Sequence, residues 1–387
     1  MKGSFSRLAG TVTVAALLAG PAQAAEVKLG LILSLSGPIS SIGVPYSKGI
    51  KAWEAGHHNK IGSDTLKVIR IDDGSSTDAA VRAAKKLIEQ DHVDIIMGSA
   101  GTPASLAIYH VAAAAHVPMI ITANGEVKGK AGDWEITVPQ PTPLMVSDDI
   151  AYMKAHNIHR VAFIGFNDIW GDTVYNALLQ TAKPAGIQVI SNERYGRADT
   201  SVTPQILKIM ALHPDAVLTG GSGSPGALPH IALAERGYTG PEFASHAVVN
   251  SEFVRVGGKA VEGVIAPTGP EVVAGQLPDS NPIKAVSMEY RKLFKEANGV
   301  AATDAFPCYA YDAFLLMANA IKQVEAKGIA PGTPAFRLAL RDALVSTHNV
   351  VGTQAVYNFT PGHRFGTDER SRVLVQLQHG KWKLIQP

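Results

Sequence analysis

Strand-length apolar runs alternate with helix-length amphipathic segments along most of this chain, and that rhythm most narrows its fold. The run Val27 to Gly37 opens with a buried core strand. Tyr46 to His58 reads as a helix with Ile50 and Trp53 on one face, and Leu66 to Ile71 alternates as a strand. Ser76 or Thr77 caps the next helix, whose Val81, Ala84, Leu87 and Ile88 fall at helical spacing. Val93 to Met97 is a short buried strand. Thr102 followed by Pro103 is a cap-then-proline start for a helix reaching Ala115, and Val117 to Ile121 is another strand. Strands alternating with helices in this way imply a parallel sheet with right-handed crossovers.

Pro139-Gln140-Pro141-Thr142-Pro143 interrupts the rhythm and suits an interdomain crossing. The pattern then restarts with strands at Arg160–Phe166, Ile187–Ile190 and Asp215–Thr219. Helices are expected at Gly171–Ala182, Thr203–Leu212 and Ala227–Glu235. Phe243–Val249 and Gly263–Ala266 are further strand candidates, and Pro267–Pro282 looks like a return crossing. Two long helices follow, Pro282–Ala297 and Asp304–Ala326. Arg372–Gln378 and Trp382–Ile385 flank His379-Gly380 as a hairpin. The expectation is an α/β protein of two lobes joined by more than one crossing. A cleft would lie between them at the carboxyl ends of the strands.

The first residues read as an export leader. Lys2 and Arg7 supply positive charge, Leu8 to Leu18 is apolar but too short for a stable anchor, and Ala22-Gln23-Ala24 offers small residues at a cleavage site. A cut after Ala24 removes residues 1–24 and leaves 363 of 387, enough for two α/β domains. The whole chain has 35 Lys+Arg and 33 Asp+Glu, so the mature chain carries 33 of each. That neutrality argues against a nucleic-acid partner and against electrostatic docking on anionic lipid. Cys308 is the single cysteine, so no internal disulfide is expected; its apolar helix start reads as a buried small residue rather than a thiolate.

Catalytic constellations are missing. No serine has glycine two residues before and after it, and neither a phosphate-binding Gly-x-x-x-x-Gly-Lys-Ser/Thr run nor His-Glu-x-x-His occurs. No metal or cofactor is expected. Gly221-Ser222-Gly223-Ser224-Pro225-Gly226 matches the dinucleotide fingerprint in form, but Pro225 removes an N–H that should face a pyrophosphate. The plainer reading is a turn whose Ser222 faces the cleft. Asp72-Asp73 reads as turn and cap chemistry. Ser99-Ala100-Gly101-Thr102 ends a strand and starts a helix, so it either holds an anion or caps the helix; Thr122-Ala123-Asn124 ends a strand in the same way. Trp170 follows a strand and is either a ligand-stacking wall or interlobe packing.

In order and spacing these segments resemble the leucine/isoleucine/valine-binding class of periplasmic binding proteins, which feed ATP-driven importers. The resemblance runs from Val27 to Ile385 through Leu35-Ser36-Gly37-Pro38, Gly43, Asp72-Asp73, Gly98-Ser99, Trp170-Gly171, Gly220-Gly221, Tyr311-Asp312-Ala313 and Val351-Gly352. It implies two Rossmann-like lobes with parallel-rich sheets and a three-crossing hinge, the type I periplasmic binding fold. Lobe one would be residues 25–140 and 270–350, and lobe two 141–269 and 351–387. The ligand would be buried by hinge closure. Carried over residue by residue, Ser99 is similar to the family's carboxylate-binding serine, and Asn124-Gly125-Glu126 to its loop around the ligand's charged groups. Trp170 stands for the aromatic before glycine, Ser222 for a closing aromatic, and Phe306 for an apolar wall. Ile42 and Tyr46 are expected beside them. After Phe243, amino-acid binders place a carboxylate for the ligand's ammonium; this chain has Ser245-His246-Ala247. Glu126 could replace it; otherwise the ligand is a carboxylate without an amine, and Trp170, Phe306, His246 and Tyr46 suit an aromatic acid. The ending Gly362 to Arg370 resembles that of aromatic-acid binders.

The expected function is therefore an extracytoplasmic, periplasmic receptor, not an enzyme. It would be monomeric and would deliver a small carboxylate or amino acid to the membrane permease of an ABC importer. A ligand sensor docking on a signalling receptor, and an exported enzyme on the same scaffold, are the alternatives.

Overall fold

The computed structural model describes residues 25–125, 134–360 and 362–386. The leader and Glu126 lie outside the described residues. The first half runs β1 (Glu26–Leu33), α1 (Ser40–His57), β2 (Lys60–Ile61), β3 (Asp64–Asp72), α2 (Thr77–Glu89), β4 (Ile95–Met97), α3 (Thr102–Ala114), β5 (Met119–Ile121) and β6 (Glu135–Thr137). Then come α4 (Thr142–Ala155), β7 (Arg160–Phe166), α5 (Ile169–Ala182), β8 (Gln188–Val189), β9 (Glu193–Tyr195), α6 (Thr203–Ala211), β10 (Ala216–Gly220), α7 (Leu228–Glu235), β11 (Glu242–Ala244), α8 (Ser251–Gly257) and β12 (Ile265–Thr268). The chain ends with α9 (Pro282–Asn298), α10 (Ala305–Glu325), α11 (Pro334–Val345), β13 (Val350–Val351), β14 (Val356–Tyr357), β15 (Val373–Gln378) and β16 (Lys381–Ile385).

Two sheets result, as the type I periplasmic binding fold requires. The first has the order β2-β3-β1-β4-β5-β6, parallel except for the β2–β3 pair. The second has β16-β15-β12-β11-β10-β7-β8, with β9 also on β7; its β15 and β16 are antiparallel. In the first sheet the strand order reverses beside β1, between β1 and β4. In the second it reverses beside β7, between β7 and β10. Crevices open at the carboxyl ends of strands at such points. The two crevices supply the loops after β1, β4, β7 and β10.

Sequence explains most elements locally. β1 is buried along nearly its whole length because helices cover both faces of a parallel sheet. The Ser76 hydroxyl accepts from Ala79 N and caps α2. α10 buries residues around its full circumference, from Phe306 and Cys308 to Ile321, because it lies inside the lobe between α1 and α11. The expected strand Phe243–Val249 is shorter: β11 ends at Ala244 and His246–Val248 is a 3-10 turn.

The crossings meet around one glutamine. Gln140 Nε2 donates to Ser371 O at 2.6 Å, and the Tyr309 hydroxyl donates to Gln140 Oε1 at 2.8 Å. The third connection leaves β13 and is tied to the first sheet. Thr353 N, Gln354 N and the Tyr357 hydroxyl all donate to Asp312, and Thr137 N donates to Arg364 O. A buried carboxylate on α10 and the open edge of β6 thus hold Thr353, Gln354, Tyr357 and Arg364 beside the first sheet. The chain enters the second sheet only at Val373.

Candidate functional site

Between the lobes lies a cavity of about 400 Å³, its open mouth included. Its first-lobe wall comes from Ile42 and Tyr46 on α1, Ala100, Gly101 and Thr102 at the start of α3, Asn124 after β5, and Phe306 on α10. Trp170, Ser222 and His246 face them from the second lobe. Ten of the twelve residues singled out in the sequence therefore share one cavity. Glu126 is outside the described residues, and Ser99 is not among the residues lining the cavity.

Ser99 is fully buried and its hydroxyl donates to Asp73, another buried residue. Its backbone N–H donates to Ser105 Oγ at 2.9 Å. The strand end is held by these bonds, so the side chain does not line the cavity. The other polar side chains of this wall are also committed. Tyr46 donates its hydroxyl to Thr122 O at 2.5 Å, and its ring meets Phe306 edge-on at 5.7 Å. Burial pushes the Tyr46 phenol well above its ordinary range. Thr102 donates to Asn124 O at 2.5 Å. Asn124 donates to Gln140 O and accepts from Thr142 Oγ1, which ties the wall to a crossing.

What this wall offers a ligand is ring surface and backbone. Gly101, the N-cap of α3, makes no side-chain cap, and the first turn carries no acid. The start of a 13-residue helix thus lies at the cavity without a cap, and although Pro103 lacks an N–H, the helix dipole there favours an anion.

The second wall carries a residue that sequence reasoning missed. Arg197 lines the cavity, its Nε donating to Asp168 at 2.6 Å and its Nη1 to Ser222 Oγ at 2.9 Å. The guanidinium carbon lies 4.2 Å from the centre of the Phe166 ring. Asp168 caps α5 through Trp170 N and Gly171 N, so the arginine is held by a group that is itself fixed. Arg197 follows β9, a strand not foreseen, at its carboxyl end beside β7. A cation at that end of a strand is the signal that could have found it. Tyr309 was missed too; it lines the cavity one helical turn from Phe306.

Trp170 Nε1 donates to Gly221 O at 3.1 Å, and Ser245 Oγ donates to the same oxygen at 2.8 Å. The His246 ring stands edge-on to Trp170, centroids 5.4 Å apart. Its Nδ1 is buried without a hydrogen-bond partner among the described residues. Burial pushes its imidazole down to about 4, so it is neutral at pH 7. Across the mouth, Ser224 N donates to Ser41 Oγ at 3.2 Å, and a side chain at Gly223 would run into the same hydroxyl. The lobes are therefore closed on one another.

Among the described residues, no cluster of His, Cys, Asp and Glu could hold a metal, and no helix is long and apolar enough to cross a membrane. Cys308 is buried with its thiol on Glu271, and burial raises its pKa well above the usual value, so it is no thiolate.

The sequence model of the periplasmic binding protein family matches residues 26–375. The chain belongs to that family. This periplasmic binding protein is similar in structure to an extracellular ligand-binding receptor from Rhodopseudomonas palustris, with TM-score 0.90 and 34% identity over 94% of this chain and 100% of the other. It is 33% identical to Leu/Ile/Val-binding protein homolog 6 of Brucella abortus over 111 residues, 28% of each chain. The match thus spans little more than a quarter of that relative. A solute binding protein of an R. palustris ABC transporter, solved in complex with 4-hydroxybenzoate, has the same fold, with TM-score 0.78 and 20% identity over 93% of this chain and 96% of that one.

Proposed function

We propose that this binding protein captures a small carboxylate with an aromatic body outside the cytoplasm and delivers it to the permease of an ABC importer. One observation carries the ligand class: no acidic side chain among the described residues lines the cavity, while Arg197 and the uncapped start of α3 do. A buried α-ammonium needs a charged partner, and several kcal/mol are at stake when it has none. Both charged features here favour the opposite sign. Trp170, Tyr46, Phe306 and Tyr309 frame the apolar body. The 4-hydroxybenzoate complex of a protein of this fold is in keeping with that class.

The mature chain is taken to begin at Ala25, and the mass of the exported protein tests that cut. A thermal-shift panel of aliphatic amino acids, benzoate-type acids and short organic acids tests the ligand. At a hundred times its dissociation constant a ligand stabilises by about 2.7 kcal/mol. Aromatic carboxylates should raise the melt. A shift with leucine or valine, abolished by Glu126→Gln, and none with aromatic acids would overturn the reading.

A further inference from the structure

The second lobe holds two buried histidines with opposite surroundings. His230 is fully buried, with one ring nitrogen 3.0 Å from Thr219 Oγ1 and the other 2.5 Å from Glu242 Oε2. It is a satisfied core group. His246 is buried to 5% exposure, lines the ligand cavity and has no hydrogen-bond partner among the described residues. Buried polar atoms in native proteins are nearly always paired, so an orphan of this kind calls for a partner.

The side chains beside His246 are engaged with other partners. Ser245 Oγ and Trp170 Nε1 both donate to Gly221 O, and Ser222 Oγ accepts from Arg197. The backbone on either side is fixed by Ser245 N on Thr219 O and Val249 N on His246 O. Trp170, edge-on, limits how far the ring can turn. The imidazole lines the cavity with its Nδ1 unpaired, so a ligand held there is a candidate partner for it.

We infer that His246 is a specificity-determining residue that pairs with a hydroxyl on the body of the ligand, so that the pocket selects hydroxylated aromatic carboxylates over bare ones. This rests on the aromatic-acid reading above. A neutral imidazole has one donor and one acceptor nitrogen, so it can serve a hydroxyl in either sense. It carries no charge to balance an ammonium. A ligand without the hydroxyl leaves the buried nitrogen unpaired, and sites built around a polar group reject analogues that lack it.

Calorimetric titration of benzoate, 3-hydroxybenzoate and 4-hydroxybenzoate into the wild type, His246→Phe and His246→Gln tests this. The wild type should bind one hydroxylated acid about tenfold more tightly than benzoate, as one hydrogen bond to a buried group implies. His246→Phe should reduce that preference to about twofold or less by weakening the hydroxylated acid while benzoate is held as before. His246→Gln, which can still donate and accept, should keep most of it. A wild type with no preference overturns the inference without any variant. So does a preference that survives in His246→Phe, or an equal loss for all three acids, which marks a packing role. Aromatic acids that bind without discrimination leave the functional reading standing; if none binds the wild type, both fall.

Discussion

The two walls of the cleft are built on opposite plans. On the first lobe, the hydroxyls of Ser99, Thr102 and Tyr46 and the amide of Asn124 are all engaged with protein. That wall meets a ligand with ring faces and an uncapped helix start. On the second lobe, Arg197 and His246 bring side-chain polarity to the cavity, and His246 has no internal partner among the described residues. The two walls of one cleft thus differ in which of their parts a ligand can use. Substitutions should therefore be felt in affinity on the second wall and in stability on the first.

The largest effect is expected at Arg197. Arg197→Met removes the one guanidinium in the cavity lining, and carboxylate affinity should fall about 100-fold, near 2.7 kcal/mol. Calorimetry on the folded variant reads it directly; a loss under threefold would erase the contrast between the walls. Next comes the pH response of the ligand-free protein. His246 stays neutral in the folded state down to about pH 4, while the unfolded imidazole takes its proton below 6.5. Between those values the unfolded chain binds the extra proton, so acid destabilises the wild type relative to His246→Phe. Going from pH 7.5 to pH 5 should move the difference against the wild type by about 2 kcal/mol in denaturant melts. The raised carboxyls, among them Glu135 at about 7 and Asp148 at about 6, titrate in both proteins and cancel. A constant gap across pH would show that His246 is not held neutral.

Trp170→Ala should weaken aromatic acids about tenfold, because a buried indole supplies contact that smaller side chains cannot. Unchanged affinity would return Trp170 to packing alone. The smallest change in affinity belongs to the first wall. Ser99→Ala should alter binding by less than about threefold yet lower stability by about 1–3 kcal/mol, since buried Asp73 loses a donor. A large affinity loss with stability intact would put Ser99 back at the ligand.

Local signals carried much of this far. β7 runs from Arg160 to Phe166 as its apolar pattern predicts, and α2 starts at the expected cap. Asp72 and Asp73 accept from Leu35, Gly74 and Ser75 as turn chemistry would have it. What was not legible depended on distant partners. Pro143 looked like part of a linker but sits in the first turn of α4, where its missing N–H costs nothing; α4 was also hidden by buried Asp148 and Asp149, which break its apolar stripe. Ser99 looks exposed in sequence because its partner Asp73 is 26 positions away. Arg197 acquires its role only once Asp168, Phe166 and Ser222 are folded around it.

The contact between Ser224 N and Ser41 Oγ has a consequence for the cycle of capture and release. One neutral hydrogen bond of this type contributes about 0.5–1.5 kcal/mol, a bias of roughly two- to twelvefold. Ser251 N and Oγ also donate to Asp304 from one lobe to the other. Under the proposed function, cargo bridging the walls from within would add a bolt to these contacts. The outline of the protein would then tell a partner that touches both lobes whether the carrier is loaded.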